Sequence, residues 1–229
     1  MIDARGALAS SANLVDALLP QLLSLRDTAQ YKVDDTPVTA ADVMIERRIE
    51  DHLHALLGDV NFVGEESRAG AKARDAEWTA VLDPIDGTEN FVSGLPMWGV
   101  SLSLWRDGAH AASMLQFPEL AQRLISGDEV PRFTSRITGL SSAIRPELSD
   151  ELRNAGQARI MGSASYNLWC VIRGSFTRFI NPVGAYSWDL LAGVLLAREY
   201  GCEVFVDGNE YDGRYLEPDR EYRVEVQHR

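Results

Sequence analysis

Cysteine and histidine are scarce in this chain. Its 229 residues hold two cysteines, Cys170 and Cys202, and four histidines, His52, His54, His110 and His228. The cysteines are far apart and each sits in an apolar context. That excludes a disulfide framework and reads as two buried thiols in a reducing cytoplasm. No zinc-ligand spacing can be built from these residues. His52 and His54, two positions apart on an expected helix, point to different faces. No apolar run approaches the ~20 residues of a membrane span, and residues 1–10 lack the apolar stretch of a signal peptide. Basic residues are also in deficit, 22 against 34 acidic ones, for a net charge of -12. Non-specific nucleic-acid binding rests on Lys and Arg neutralising phosphates, so this balance argues against it. It argues equally against a basic membrane-surface patch.

Internal repeats, low-complexity tracts and long linkers are absent too. A hydrophobic share of 45% with 24% charged residues is ordinary for a globular chain. A chain of this length buries a core without a disulfide or metal staple. The expectation is one domain over 1–229, with an N-terminal half of about 1–130 carrying the main motif and a C-terminal half of about 131–229 completing the site.

Leu8, Val15, Leu18, Leu19, Leu22 and Leu25 recur near helical spacing and predict a first amphipathic helix. After a polar connection at 32–37, Thr39 reads as an N-cap. Val43, Ile45, Ile49, Leu53 and Leu56 then form the stripe of a second helix that stops at Gly58. Short strands are expected at 61–63, 78–82, 97–104 and 111–115. The stretch 128–150 has poor periodicity. A strand at 160–161, a helix near 164–172, a strand at 176–180, a helix at 187–200 stopped by Gly201, and strands at 203–206 and 222–226 complete the reading. Helices and strands mix without strict alternation, which fits a layered α+β or α/β sandwich better than a barrel.

The chemistry concentrates in Gly64-Glu65-Glu66-Ser67 and in Asp83-Pro84-Ile85-Asp86-Gly87-Thr88. An apolar strand delivers Asp83 at its C-terminal end, and Pro84, lacking an N–H, is expected to end the paired strand. Asp86-Gly87 then forms a turn and Thr88 opens a helix. Taken singly, Asp-Gly is a turn, Thr an N-cap and Glu-Glu a solvated face. Together they bring two carboxylates to one point, where they repel each other until a hard divalent cation relieves the strain. The N–H groups of Gly87 and Thr88 at a helix start offer a phosphate seat. Metal-binding carboxylates beside an anion seat are the equipment of phosphoryl chemistry. A second signal is Trp188-Asp189-Leu190-Leu191-Ala192-Gly193, an aspartate opening an apolar helix whose Ala192 and Gly193 imply close packing.

These segments, with Lys32 and Thr39-Ala40-Ala41-Asp42, resemble the motifs of the inositol monophosphatase family of magnesium-dependent, lithium-sensitive phosphatases. The resemblance runs from about Lys32 to Val206. It implies the layered αβαβα sandwich of the inositol monophosphatase and fructose-1,6-bisphosphatase type, a cytoplasmic homodimer, and Mg2+ as cofactor with two to three ions per site. Glu65, Asp83 and the Ile85 carbonyl would hold one ion, and Asp83, Asp86 and Asp189 a second. Glu65 would help hold a third. Thr88, paired with Asp42, would orient the attacking water together with Glu65. Asp86, Gly87, Thr88, Gly162, Ser163, Ala164 and Asp189 would contact the substrate. The implied reaction is direct water attack on a small polyol or sugar phosphate without a phosphoenzyme.

The chain also departs from the family pattern. The Glu that many inositol-specific members carry seven residues before the Trp-Asp aspartate is Pro182 here, beside Asn181. A Gly/Ala-rich hairpin ending in Asn-Gly is not visible in 111–142. Histidinol-phosphate phosphatases share the scaffold and are the alternative, as is a regulatory or binding member of the family. A haloacid-dehalogenase site is disfavoured because its Asp-x-Asp-Gly-Thr is one residue shorter than the Asp-x-x-Asp-Gly-Thr found here.

Overall fold

The computed structural model describes residues 3–31, 37–67, 76–143 and 145–228. Helix α1 (Ala4–Leu23) is capped by Asp3, whose carboxylate accepts the Gly6 N–H at 2.7 Å, and it buries Leu8, Val15, Leu18 and Leu22. A short ribbon follows, β1 (Gln30–Tyr31) against β2 (Pro37–Val38). Residues 32–36, including Lys32, lie outside the described residues. Helix α2 (Ala40–Leu57) begins at the expected Thr39 cap, which Asp42 reciprocates, and ends at Gly58 with φ +85°. Its buried stripe is Ala41, Asp42, Ile45, Glu46, Ile49 and Leu53. Val43 does not belong to that stripe. It is 54% exposed, two places off the Ile45–Ile49–Leu53 line, so its side chain falls on the outer face. His52 and His54 diverge as their spacing requires, one to Ser10 and the other to the Gly58 carbonyl.

Strand β3 (Val60–Gly64), β4 (Trp78–Asp86), the short helix α3 (Thr88–Val92), β5 (Gly99–Arg106), β6 (Ala109–Phe117) and β7 (Gln122–Ile125) come next. Then follow β8 (Ile137–Leu140), α4 (Pro146–Asn154), β9 (Gln157–Ile160), α5 (Ala164–Ile172), β10 (Arg178–Ala185), α6 (Ser187–Glu199), β11 (Glu203–Val206), β12 (Asn209–Glu210) and β13 (Tyr222–Gln227). Proline does not end β4 as expected. The strand runs on to Asp86 by bulging, and the ladder with β5 jumps from Asp83 opposite Ser101 to Asp86 opposite Gly99, so Pro84 sits where no N–H is needed. Strands β5 and β6 close through Asp107 and Gly108, both at positive φ, the tight turn that Asp-Gly favours.

Two sheets result. One has the order β3-β4-β5-β6-β7, the other β12-β11-β13-β10-β8-β9. Helices α1 and α2 cover the outer face of the first, and α5 and α6 pack on strands of both sheets. Helix α4 closes the far side of the second through Leu148 against Leu140 and Ile180. The layers therefore run α-β-α-β-α. The central helices fit tightly: a Cβ on Gly193 of α6 would stand 2.4 Å from Leu168 Cδ1 of α5, so only glycine permits this approach. Cys170 and Cys202 are buried and form no disulfide.

Candidate functional site

Three chain segments converge at the end of the first sheet. Strand β3 runs parallel to β4 with Gly64 opposite Leu82, and the Glu65 N–H donates to the Leu82 carbonyl at 3.3 Å. That single bond sets Glu65 beside Asp83. The turn carrying Glu65 is anchored from α2, where the Glu46 carboxylate accepts the Glu66 N–H at 2.9 Å and a hydrogen bond from the Ser67 hydroxyl. Sequence reasoning did not single out Glu46. It lies four residues after Asp42, hence on the same helical face, and that spacing was the available signal.

Asp83 is 1% exposed, and its carboxylate accepts the Ile85 N–H at 3.0 Å, which folds the bulge back on itself. Asp189 arrives from the other half of the chain. The Ser101 hydroxyl, on β5 directly opposite Asp83, donates to the Trp188 carbonyl at 3.2 Å and seats the start of α6 over the strand ends. The Tyr186 N–H then donates to the Asp189 carboxylate at 2.8 Å. The Asp83 and Asp189 carboxyls come within hydrogen-bond reach of each other. Burial above all, and then repulsion from Glu65 and Asp86, holds both well above the usual carboxylate range.

Asp86 faces the start of α5. It accepts the Ser163 hydroxyl at 2.7 Å, the Ala164 N–H at 3.1 Å and the Ser165 N–H. Burial raises its carboxyl, and these donors oppose the rise. Gly162-Ser163-Ala164 is thereby drawn against the main motif. Asn90 of α3 locks the arrangement with donations to the Met97 and Met161 carbonyls at 2.6 and 2.7 Å. Gly87, at φ +89°, fills a gap in which a Cβ would lie 3.0 Å from Ser163 Cβ and 3.1 Å from the Gly162 carbonyl oxygen.

Thr88 donates its hydroxyl proton to the Ile85 carbonyl at 2.9 Å and stands 3.5 Å from the Asp42 carboxylate, at the outer limit of a hydrogen bond. The other Asp42 oxygen takes the Thr39 N–H at 2.8 Å and the Thr39 hydroxyl at 2.6 Å. Burial nonetheless pushes the Asp42 carboxyl up to about 7.

A pocket of about 360 Å3 opens over these groups, with Glu65, Asp86, Gly162, Ser163, Ala164 and Asp189 in its wall. Gly87 and Thr88 are not part of that wall. Among the described residues no three or more Asp, Glu, His or Cys are drawn together as a ready-made ion cage. Asp86 is held by the α5 start instead. The donor set nevertheless fits a hard divalent cation, since it is all carboxylate and carbonyl oxygen and its burial makes each uncompensated negative charge costly.

Known proteins decide the family. The family model described as "Inositol monophosphatase family" matches residues 3–131. The inositol-1-monophosphatase of Rhizobium meliloti is 30% identical over 202 residues, which cover 78% of this chain and 73% of that protein. The chain belongs to the inositol monophosphatase family. It is thereby a phosphatase of the phosphoric monoester hydrolase class. A histidinol-phosphatase of Chlorobaculum parvum is 37% identical over a shorter stretch of 91 residues, 40% of this chain and 34% of that protein. Among solved structures, an IMPase/NADP phosphatase complexed with Mg2+ and phosphate superposes with a TM-score of 0.78 at 20% identity, over 97% of this chain and 89% of that one. That likeness confirms the layered fold.

Proposed function

We propose that this family member is a Mg2+-dependent phosphomonoesterase acting on a small polyol or sugar phosphate, working as a single catalytic unit over 1–229. The observation that carries the reading is the meeting of Asp83 and Asp189, 106 positions apart in sequence, within hydrogen-bond reach and under the field of Glu65 and Asp86. Glu65, Asp83, the Ile85 carbonyl, Asp86 and Asp189 would hold two to three Mg2+ ions. Bound Mg2+ would neutralise charge on the phosphoryl and leaving oxygens and lower the pKa of water at the site.

The chain's own residues do the rest. Asp42 fixes Thr39 and stands beside the Thr88 hydroxyl, so the Thr88–Asp42 pair orients a water together with Glu65. The Gly87 and Thr88 N–H groups receive phosphate oxygens. Gly162-Ser163-Ala164 holds the leaving group against Asp86. The two buried thiols, which form no disulfide, support a reducing cytoplasm. Among the described residues no helix is long and apolar enough to cross a membrane. The homodimer rests on the family resemblance.

A second reading, histidinol phosphate as substrate, is favoured by the Chlorobaculum relative and by Pro182 standing where inositol-specific members carry a Glu. The test is phosphate release from inositol 1-phosphate, histidinol phosphate and sugar phosphates, with Mg2+, with EDTA and with Li+. Asp86→Asn is expected to abolish turnover while leaving the folded state intact. Mg2+-dependent turnover retained in that variant would refute the assignment.

A further inference from the structure

Strand β10 bulges where it reaches the pocket, between Asn181 and Ala185. The Asn181 side chain ties the bulge together, accepting the Val183 and Gly184 N–H groups at 3.2 and 3.1 Å and donating to the Gly184 carbonyl at 3.1 Å. The bulge gives Gly184 a φ of +126° and turns its bare Cα toward the residue before β13, Glu221. A Cβ on Gly184 would lie 3.0 Å from Glu221 Cβ and 3.3 Å from Glu221 Oε2. The missing side chain is what lets the Glu221 carboxylate stand in the pocket wall, beside Gly184. Glu221 makes no hydrogen bond or ion pair with any described residue. The carboxylate absent at Pro182 is thus matched by one brought in from a different strand.

The rest of the wall indicates what this carboxylate meets. No Lys, Arg or His is among the described residues lining the pocket. Glu65, Asp86 and Asp189 are committed to the ions in the reading above, on which this inference rests, so Glu221, an exposed residue, is the one anion among the described wall residues left without a counter-charge. Tyr186, half-buried and stacked on the buried Trp188 with centroids 4.6 Å apart, adds aromatic surface to the same wall. A cation gains from both features: an unpaired carboxylate and the Tyr186 ring. A second phosphate or a carboxylate would be repelled.

We propose that Glu221 is a specificity-determining residue that binds the leaving group of the ester and takes an ammonium in preference to a neutral hydroxyl. Of the two substrate readings above, this selects the second: the phosphate monoester of an amino alcohol rather than of a polyol or sugar.

The experiment compares histidinol phosphate (ammonium) with inositol 1-phosphate (hydroxyls only) in the full-length protein with Mg2+, before and after Glu221→Gln. Glutamine keeps the shape and the acceptor oxygen but removes the charge. A charged hydrogen bond exchanged for a neutral one lowers the histidinol-to-inositol ratio of kcat/KM by about tenfold. Calorimetric binding of free histidinol weakens by a similar factor, carried in KM rather than kcat. A ratio that stays within about twofold, or a parallel loss on both esters, overturns the proposal. A native protein that releases phosphate from neither ester overturns the phosphomonoesterase reading itself, a different result from an unaltered ratio.

Discussion

Raising the pH of the ion-free protein from 5 to 8 is expected to weaken its fold, and the buried acids set the size of the effect. Asp42 is 1% exposed, and burial is the main reason its carboxyl rises from 3.8 to about 7, with Thr39 opposing the rise and Glu65 and Glu66 adding to it. Unfolded chains release this proton near the lower value and the folded chain near the higher one. Between the two, the folded state binds more protons, so stability is greatest on the acid side and is lost as pH rises. Each unit is worth about 1.36 kcal/mol, so the two units between pH 5 and 7 remove roughly 2–3 kcal/mol through Asp42 alone. In a chain of this size that lowers Tm by roughly 5–10 °C. Asp83, Asp86 and Asp189 are raised in the same direction and steepen the slope. The assay is thermal unfolding in EDTA at fixed ionic strength from pH 5 to 8, for the native chain and for Asp42→Asn, which is expected to flatten the curve. Repeating it with Mg2+ should give a larger Tm gain at pH 8 than at pH 5, because protons and cations compete for the same oxygens. A Tm in EDTA that is flat or rising with pH, or an Asp42→Asn slope equal to the native one, would refute the reasoning.

Three further outcomes follow from close contacts. Gly193→Ala places a methyl group 2.4 Å from Leu168 Cδ1 between the two central helices, and an overpacking cost of roughly 1–3 kcal/mol should appear in denaturant unfolding. Gly64→Ala sets a Cβ 2.3 Å from Glu46 Oε2, which displaces the carboxylate that anchors the Glu65–Ser67 turn. That variant is expected to lose phosphatase activity by tenfold or more while Tm falls by only a few degrees, and preserved activity would mean the anchor is dispensable. Burial pushes the Cys170 thiol up to about 12, so in the folded protein it should resist iodoacetamide at pH 8 and react once urea has unfolded the chain.

What could be read from the sequence follows the range over which each signal acts. Thr39, Gly58 and the Ala164–Ile172 helix were visible because caps and helical periodicity are written within a few residues of the element they govern. The Asp83–Thr88 segment was visible for the same reason: both carboxylates, the turn glycine and the helix-opening threonine lie within one short stretch. The strand continuing past Pro84 was not, because whether a proline ends a strand depends on the bulge that β5 allows opposite it. The region 128–150 gave little because its elements offer almost no pattern. Strand β8 is four residues long, and α4 buries only Leu148. Strand β7, also four residues long and at the edge of its sheet, buries only Leu124 and Ile125 and was missed outright.

The convergence of Asp189 on Asp83 belongs to a different category. No spacing argument joins residues 83 and 189; the family resemblance supplied the pairing, and the packing of α6 on β4, β5 and β6, with the Ser101–Trp188 hydrogen bond at its start, brings it about. Glu221 lies beyond both routes. It belongs to no motif, and only the bulge at Gly184 gives it a place in the pocket. Residues that grip the reacting group can recur as motifs because the chemistry is fixed. A residue that reads the leaving group can be supplied by whichever strand passes nearby, and its position then becomes visible only when the chain is folded.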